Sequence, residues 1–198
     1  METRQSMDER VNEWIEAYRQ GQIEALSHLV EHFRRPLFGF ILKMTEARGD
    51  ADEVFQEVWF RAIRSFDQYR EKNFLSWLFR IAHNLIIDRA RKNRPEVSLN
   101  GASDEAGEAW EARLPDKGLT PEAITAGKDL GEQIQKAVRR LPPEQREVFY
   151  LRMEADRSFK EIAAIQDVSI NTALARMQYA LARLRKDLGT EYYDGGKT

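Results

Sequence analysis

The sequence contains no cysteine among its 198 residues. Disulfide bridges and thiolate metal sites are therefore excluded, which suits a protein of a reducing compartment. The sequence also lacks an apolar run of about 18 residues, the length that spans a bilayer. Its first ten residues are polar and of mixed charge, unlike a secretory signal. From these absences we predict a cytoplasmic protein with no membrane insertion.

The alternation of apolar and polar residues that marks a half-buried strand is lacking as well. Apolar residues instead recur at helical spacing, except between 95 and 120, where glycine, serine and acidic residues accumulate. We therefore predict an all-α fold of two helical domains joined by a flexible acidic linker. The predicted bounds are 1–94 for the first domain, 95–120 for the linker, 121–188 for the second domain and 189–198 for a tail.

The net charge of −2 is unevenly distributed along the chain. Residues 95–127 carry seven acidic and two basic side chains. Residues 1–94 carry 16 basic and 15 acidic side chains, and residues 128–198 carry 13 and 11. An acidic middle thus separates two weakly basic ends, so the negative total does not argue against nucleic-acid binding.

Caps and prolines set the predicted helix bounds. A first helix opens with Ser6 and Glu9 at capping-box spacing and stops near Gly21, and Pro36 is expected to kink or split the second helix. The other predicted bounds are 22–47, 51–65 and 74–93 in the first domain, and 121–140, 143–153, 158–166 and 169–187 in the second.

A helix-turn-helix pattern lies in the second domain, which is predicted to have four helices. Ser158 and Glu161 form a capping box, Asp167 begins a three-residue turn, and Ser169 caps a longer helix. In such a motif the second helix enters the major groove. The alternative is an ordinary helical hairpin with a solvated basic face. The second helix carries an apolar stripe that consists of Ile170, Ala173, Leu174, Met177, Ala180, Leu181 and Leu184. Its candidate DNA-binding residues are Ser169, Asn171, Thr172, Ala175, Arg176, Tyr179 and Arg183. Arg185 and Lys186 are available to contact phosphates.

Specific motifs resemble those of a known family. The segments LPPEQREVFYLR (141–152), SFKEIA (158–163) and SINT (169–172) are similar to sigma region 4, and residues 49–62 and 74–91 are similar to sigma region 2. Both halves occur in the order found in the extracytoplasmic-function sigma factors. The resemblance implies a non-enzymatic subunit, without cofactor, catalytic or metal-binding residues, that gives bacterial RNA polymerase its promoter recognition.

The resemblance also implies partners. These are core RNA polymerase, contacted at the clamp coiled coil and the flap of its large subunits, promoter DNA, and an anti-sigma factor. The polymerase-binding residues would lie on the third helix, where the acidic ones alternatively complement the helix dipole. They are Asp52, Glu53, Gln56, Glu57, Phe60 and Arg61.

The fourth helix and the loop before it would hold the melted minus-ten element, with aromatic rings under unstacked bases and cations along the backbone. For the two aromatic residues, Tyr69 and Phe74, the alternative is packing in the core. Asn84 and Asp88 could instead form an exposed pair within the helix. The alternative for the basic cluster at the end of the helix, which consists of Arg89, Arg91, Lys92 and Arg94, is a solvated helix end. The minus-ten candidates are Tyr69, Phe74, Arg80, Asn84, Asp88, Arg89, Arg91 and Lys92.

Three residues depart from the family pattern in the helix-turn-helix. Asp167 stands where relatives usually carry glycine, and Leu174 and Ala175 stand where lysine and serine are usual. Such a helix offers fewer groups for reading bases. A preference based on DNA shape, with Arg176 as the main polar contact, would survive these changes.

Two other functions fit parts of the sequence. His28 and His32 with Glu31 match the inverted zinc-protease motif, in which two histidines lie one helical turn apart. The more serious alternative is a two-domain helix-turn-helix regulator that binds duplex DNA without sigma activity.

Overall fold

The computed structural model of the chain describes residues 4–45, 47–70, 73–93 and 131–194. Within these ranges the regular structure is entirely helical, which confirms the predicted all-α class. The chain divides into two compact units, residues 1–95 and 96–198. The predicted linker and the part of the predicted helix 121–140 before residue 131 lie outside the described residues.

The first unit is a bundle built around its second helix. Helix α2 packs against the other three helices, and α3 also packs against α4. Leu29, Leu37 and Ile41 of α2 are fully buried, as are Val54 and Val58 of α3. The helices are α1 (Arg4–Arg19), α2 (Ile23–Met44), α3 (Arg48–Arg64) and α4 (Phe74–Asn93), with a 3-10 turn at Phe66–Gln68.

Three predicted features of this unit need correction. Helix α1 begins at Arg4, so Ser6 lies inside it and does not open it. Helix α3 begins at Arg48, ahead of the predicted residue 51. Helix α2 runs unbroken through Pro36, so the helix is not split there. Its buried residues on both sides of the proline, Phe33 and Leu37 among them, tie the two halves to one core, and this packing outweighs the lost backbone hydrogen bond.

The second unit is a smaller bundle in which two short helices pack on a long one. Helices α6 and α7 contact each other, and both contact α8. Val138, Val148, Leu151, Ile162 and Ile165 are almost fully buried and form its core. A helix covers 131–139 and is here called α5. It is followed by α6 (Pro143–Met153), α7 (Phe159–Gln166) and α8 (Ile170–Asp194).

Helix α8 is longer than its predicted range of 169–187. It continues through Gly189 to Asp194, so most of the predicted tail is helical. A single glycine costs a helix only about 1 kcal/mol relative to alanine, which is too little to end a helix of this length.

None of the helices in the ranges that the structure describes combines the length and the apolar character that a bilayer crossing requires.

Candidate functional site

The predicted polymerase face of α3 is open to solvent. Asp52, Glu53 and Gln56 are exposed, and Phe60 keeps 54% of its surface accessible, a large fraction for an aromatic side chain. Arg61 Nε donates a 2.8 Å hydrogen bond to Glu57 Oε1, one helical turn earlier. This face of α3 therefore combines charged side chains with the exposed aromatic ring of Phe60.

Ile63 also belongs to this surface, although the sequence interpretation omitted it. It is 39% exposed and lies three residues after Phe60, on the same side of α3. The Arg64 guanidinium carbon lies 5.5 Å from the centre of the Phe60 ring. The spacing of three residues between Phe60 and Ile63 was the signal in the sequence that could have identified Ile63.

Helices α3 and α4 border an open groove of about 660 Å³. An ion pair joins its two walls, because Arg89 Nη2 on α4 lies 3.0 Å from Glu53 Oε2 on α3. The groove thus unites residues that the sequence assigned to two different partners. Its lining residues are Glu53, Gln56, Glu57, Phe60, Arg61, Leu85, Asp88, Arg89 and Lys92.

Besides Arg89, the minus-ten candidates on α4 lie on its exposed surface, and two of them, Asp88 and Lys92, also line the groove. Asn84, Asp88, Arg91 and Lys92 are exposed, and Arg80 is partly exposed. Spacings of four, four and three residues place Arg80, Asn84, Asp88 and Arg91 on one face of the helix. This face therefore presents an amide, a carboxylate and two cationic side chains, and Lys92 lies beside it.

The two aromatic candidates are part of the core. Tyr69 and Phe74 are 6% and 3% exposed, and their ring centres are 5.2 Å apart. Trp77 packs against both, at 5.0 Å and 5.3 Å, and Phe66 packs against Phe74 at 5.8 Å. A ring enclosed on these sides has no face to offer a base, so the structure supports the packing alternative for both residues.

The helix-turn-helix has the expected local geometry. Ser158 N donates to Glu161 Oε2 at 2.9 Å while Ser158 Oγ accepts from Glu161 N at 3.3 Å, which completes the predicted capping box. Asp167 ends α7 in the left-handed region, with φ 52° and ψ 49°. Ser169 Oγ then accepts from Thr172 N at 3.0 Å and caps α8.

The structure also shows which recognition-helix candidates face solvent. Ser169, Asn171, Tyr179 and Arg183 are exposed. Thr172, Ala175 and Arg176 are partly exposed. All seven are therefore at or near the surface.

Two residues of the predicted apolar stripe do not reach the core. Ile170 and Leu174 are 46% and 37% exposed. The buried face of α8 is formed by Ala173, Met177, Ala180 and Leu184, and Ile170 and Leu174 lie one turn apart on its margin. The first turns of α8 thus present an apolar pair to solvent.

A buried polar chain beneath the recognition helix was not foreseen from the sequence. Gln166 of α7 is 5% exposed, and its Nε2 donates to Glu147 Oε2 at 2.7 Å and to the Glu144 carbonyl at 3.2 Å. Its Oε1 accepts from Arg176 Nη1 at 2.9 Å. One side chain therefore links α6, α7 and α8.

The two histidines of the zinc-protease motif pack against a tryptophan. The rings of His28 and His32 lie 5.5 Å and 5.7 Å from the Trp14 ring. Burial lowers the pKa of His32, the nearby charge of Arg10 lowers it further, and Asp8 opposes both effects. In the described part of the chain, no three histidine, cysteine, aspartate or glutamate side chains are grouped as a metal site would need.

Comparison with known proteins assigns the chain to a family. The family model for Sigma-70 region 2 matches residues 29–96 and that for Sigma-70, region 4 matches residues 131–184, together more than half of the chain. The chain is also 30% identical over 171 residues to the ECF RNA polymerase sigma factor RpoE of Cereibacter sphaeroides, a match that covers 83% of this chain and 86% of the relative. The chain belongs to the ECF RNA polymerase sigma factors.

Further relatives agree with this assignment. The sigma factor is 27% identical over 184 residues to ECF RNA polymerase sigma factor SigW of Bacillus subtilis, which covers 92% of this chain and 98% of SigW. RpoE of Bartonella quintana, solved with the anti-sigma factor NepR, shares its fold with a TM-score of 0.59 and 20% identity over 83% of this chain and 96% of that one. CnrH, solved with the cytosolic domain of CnrY, gives the same score and identity over 96% and 98%. These findings confirm the family resemblance and favour a sigma factor over a regulator that lacks sigma activity.

Proposed function

We propose that this sigma factor docks on core polymerase through the α3 face, with Phe60 and Ile63 at its apolar centre. Large apolar side chains surrounded by polar ones are typical of the residues that dominate binding energy at protein interfaces. Asp52, Glu53 and Gln56 supply the polar rim on the exposed side of the helix. In the family this surface meets the clamp coiled coil of the largest subunit.

The α4 surface is the proposed site for the melted minus-ten strand. Arg80, Arg91 and Lys92 provide the cations that follow a phosphate backbone, and Asn84 and Asp88 provide hydrogen-bonding groups for an unstacked base. Tyr69 and Phe74 are left out, since both are buried. The shared groove is the observation on which this proposal depends, because it brings the two predicted surfaces together on neighbouring helices.

The second unit is the proposed reader of the minus-thirty-five element, with α8 in the major groove. Asn171, Ala175 and Tyr179 lie on its outer side and Arg183 continues along it toward the backbone phosphates. Residues 1–94 and 121–188 are the proposed domains, joined by an acidic linker. A contact of the second domain with the polymerase flap is also proposed.

Two further proposals concern the setting of the protein. We propose that it acts in the cytoplasm, where core polymerase and promoter DNA are found, and that it has no catalytic activity of its own. We also propose regulation by an anti-sigma factor. The support is that the related RpoE of Bartonella quintana was solved in complex with one.

The proposed docking face is tested with Phe60→Ala. This change should weaken binding to purified core polymerase by about fivefold or more, because truncating a central aromatic residue of an interface typically costs over 1 kcal/mol. Ile23→Ala is the matched control, since Ile23 is another exposed apolar residue, 72% accessible, in the same unit. Competition for core polymerase against the wild-type chain measures both. Equal affinities of Phe60→Ala and wild type would contradict the proposal.

Promoter-specific initiation by a reconstituted holoenzyme separates sigma activity from simple DNA binding. The wild-type chain with core polymerase should start transcription at defined sites on genomic fragments. Tight binding to duplex promoter by the chain alone, without transcription in the presence of core enzyme, would favour the regulator alternative.

A further inference from the structure

The buried chain from Glu147 through Gln166 to Arg176 suggests a specific role for Gln166. Gln166 is 5% exposed and Glu147 is 2% exposed. Burying an amide and a carboxylate away from water is costly unless both are hydrogen-bonded. Such an arrangement is therefore expected to have either a structural or a functional benefit.

The orientation of the Gln166 amide is fixed by its neighbours. Two acceptors, the Glu147 carboxylate and the Glu144 carbonyl, lie 2.7 Å and 3.2 Å from Nε2. Only the amide nitrogen can donate to both, so the amide oxygen must point the other way. That oxygen accepts the 2.9 Å hydrogen bond from Arg176 Nη1.

Arg176 is thereby held in one orientation at the surface of the recognition helix. Its side chain is partly exposed, and it lies in the second turn of α8. A guanidinium carries five N–H donors in a rigid fork, so a bond through Nη1 leaves a further edge of the fork that can bind an acceptor. A side chain that is already ordered loses less conformational entropy when it binds.

We propose that Gln166 is a positioning residue that aims Arg176 at a guanine in the upstream promoter element. This inference rests on the proposed function of α8 and identifies one base-reading contact within it. Guanine presents two acceptors in the major groove, O6 and N7, which match the arginine fork. Glu147 acts one step further back by orienting the Gln166 amide.

The test uses holoenzyme assembled from core RNA polymerase and the full chain. A random-sequence duplex library is first selected for binding to wild-type holoenzyme, and each G·C pair of the recovered upstream element is then replaced. Affinities are compared for wild type, Arg176→Ala, Gln166→Leu and the double variant. The measured quantity is the loss of affinity on replacing each G·C pair.

Wild-type holoenzyme should discriminate about 5- to 150-fold at one G·C pair, the range expected of a bidentate arginine contact. Arg176→Ala should abolish that discrimination. Gln166→Leu should reduce it at least about threefold at the same pair only, and the double variant should resemble Arg176→Ala, because coupled residues are non-additive. A purely structural role for Gln166 would not act on a single base pair.

Two further variants guard against a general loss of folding. Gln145→Leu is the matched control, a partly buried glutamine of α6 whose Oε1 makes no hydrogen bond with the residues that the structure describes. It should leave the discrimination unchanged. If Gln166→Leu fails to fold, Glu147→Leu/Gln166→Leu replaces it, because removing both partners of a buried hydrogen bond is milder than removing one. The double change should still reduce discrimination at the same base pair.

Two results would overturn the inference. In the first, Gln166→Leu keeps full discrimination while Arg176→Ala loses it, so that Gln166 is structural. In the second, Arg176→Ala weakens binding to every sequence equally, as expected of a phosphate contact. Both results leave the proposed function intact. A wild-type holoenzyme that selects no upstream element would instead contradict the proposed function of α8.

Discussion

Within the helix-turn-helix, Asp167 has a backbone conformation that residues with a side chain rarely adopt. With φ 52° it occupies the left-handed region, where glycine is the least strained residue and alanine is more strained than aspartate. Its position is the C-cap of α7, directly before the recognition helix. Aspartate in place of the glycine that is usual at this position is therefore compatible with the fold, but it lowers the stability of the second unit.

We expect Asp167→Gly to raise the free energy of unfolding of the second unit by about 0.5 kcal/mol. Glycine relieves the backbone strain of the left-handed conformation, but it also gives the unfolded chain more conformational freedom, which offsets part of the gain. Asp167→Ala should lower it by about 1 kcal/mol. Calorimetric unfolding of the full chain gives the order of the three proteins. An alanine variant more stable than the glycine variant would contradict this account.

His32 makes the stability of the first unit depend on pH. Because its pKa is lowered in the folded unit, the unfolded chain binds a proton that the folded unit does not between the folded pKa and the ordinary value of about 6.5. Stability is thus complete above about pH 6.5 and is lost as the pH falls toward the folded pKa.

Replacing His32 by phenylalanine should make the unfolding free energy of this unit less dependent on pH below about 6.5. Denaturant unfolding followed by tryptophan fluorescence is suitable, since three of the four tryptophans, Trp14, Trp59 and Trp77, lie in the first unit. Identical pH profiles for the variant and wild type would show that His32 is not the titrating group.

Among the elements, α7 depends most on its cap, because it has only eight residues. We expect Ser158→Ala to lower the stability of the second unit by about 1 kcal/mol through loss of the capping box. Ser158→Thr keeps the capping oxygen and should remain within a few tenths of a kcal/mol of wild type. Hydrogen exchange of the α7 amides measures the local effect, and equal protection in both variants would contradict the prediction.

Local signals in the sequence located several elements well. The bounds 74–93 and 143–153 agree with α4 and α6, and the Ser158 capping box gave the start of α7. Each of these depends on residues close together in the chain. The expected split of α2 at Pro36 was wrong, because buried residues on both sides of the proline hold the two halves in one core. The start of α1 was also wrong, since the helix begins at Arg4, ahead of the Ser6 capping-box signal.

The candidate sites show the same division between local and long-range information. Spacing alone placed Phe60 and Arg61 on the exposed side of α3, and the exposed residues of α4 on one face. The burial of Tyr69 and Phe74 could not be read from spacing, since it depends on rings that come together only in the folded unit. The contact between Gln166 and Arg176 joins two helices and likewise carries no sequence pattern.

For the whole molecule, electrostatics should govern the salt dependence of promoter binding. Replacing both Arg91 and Lys92 by glutamine should reduce the slope of log K against log salt by about 1.4 for the holoenzyme, because each phosphate contact to a single strand contributes about 0.7. Arg34→Gln/Arg35→Gln removes the same charge from exposed positions on α2 and should leave the slope unchanged. Filter binding of a promoter fragment at several salt concentrations gives both slopes, and equal slopes for the two double variants would contradict the assignment.

The ion pair between Glu53 and Arg89 has a genetic consequence. Since the two side chains meet at 3.0 Å across the α3–α4 groove, a substitution at either one alters the surroundings of the other. Screens for defective polymerase binding and for defective promoter opening should therefore recover overlapping sets of alleles along this groove. Suppressors of Glu53 alleles should arise as second-site substitutions on α4, and suppressors of Arg89 alleles as second-site substitutions on α3.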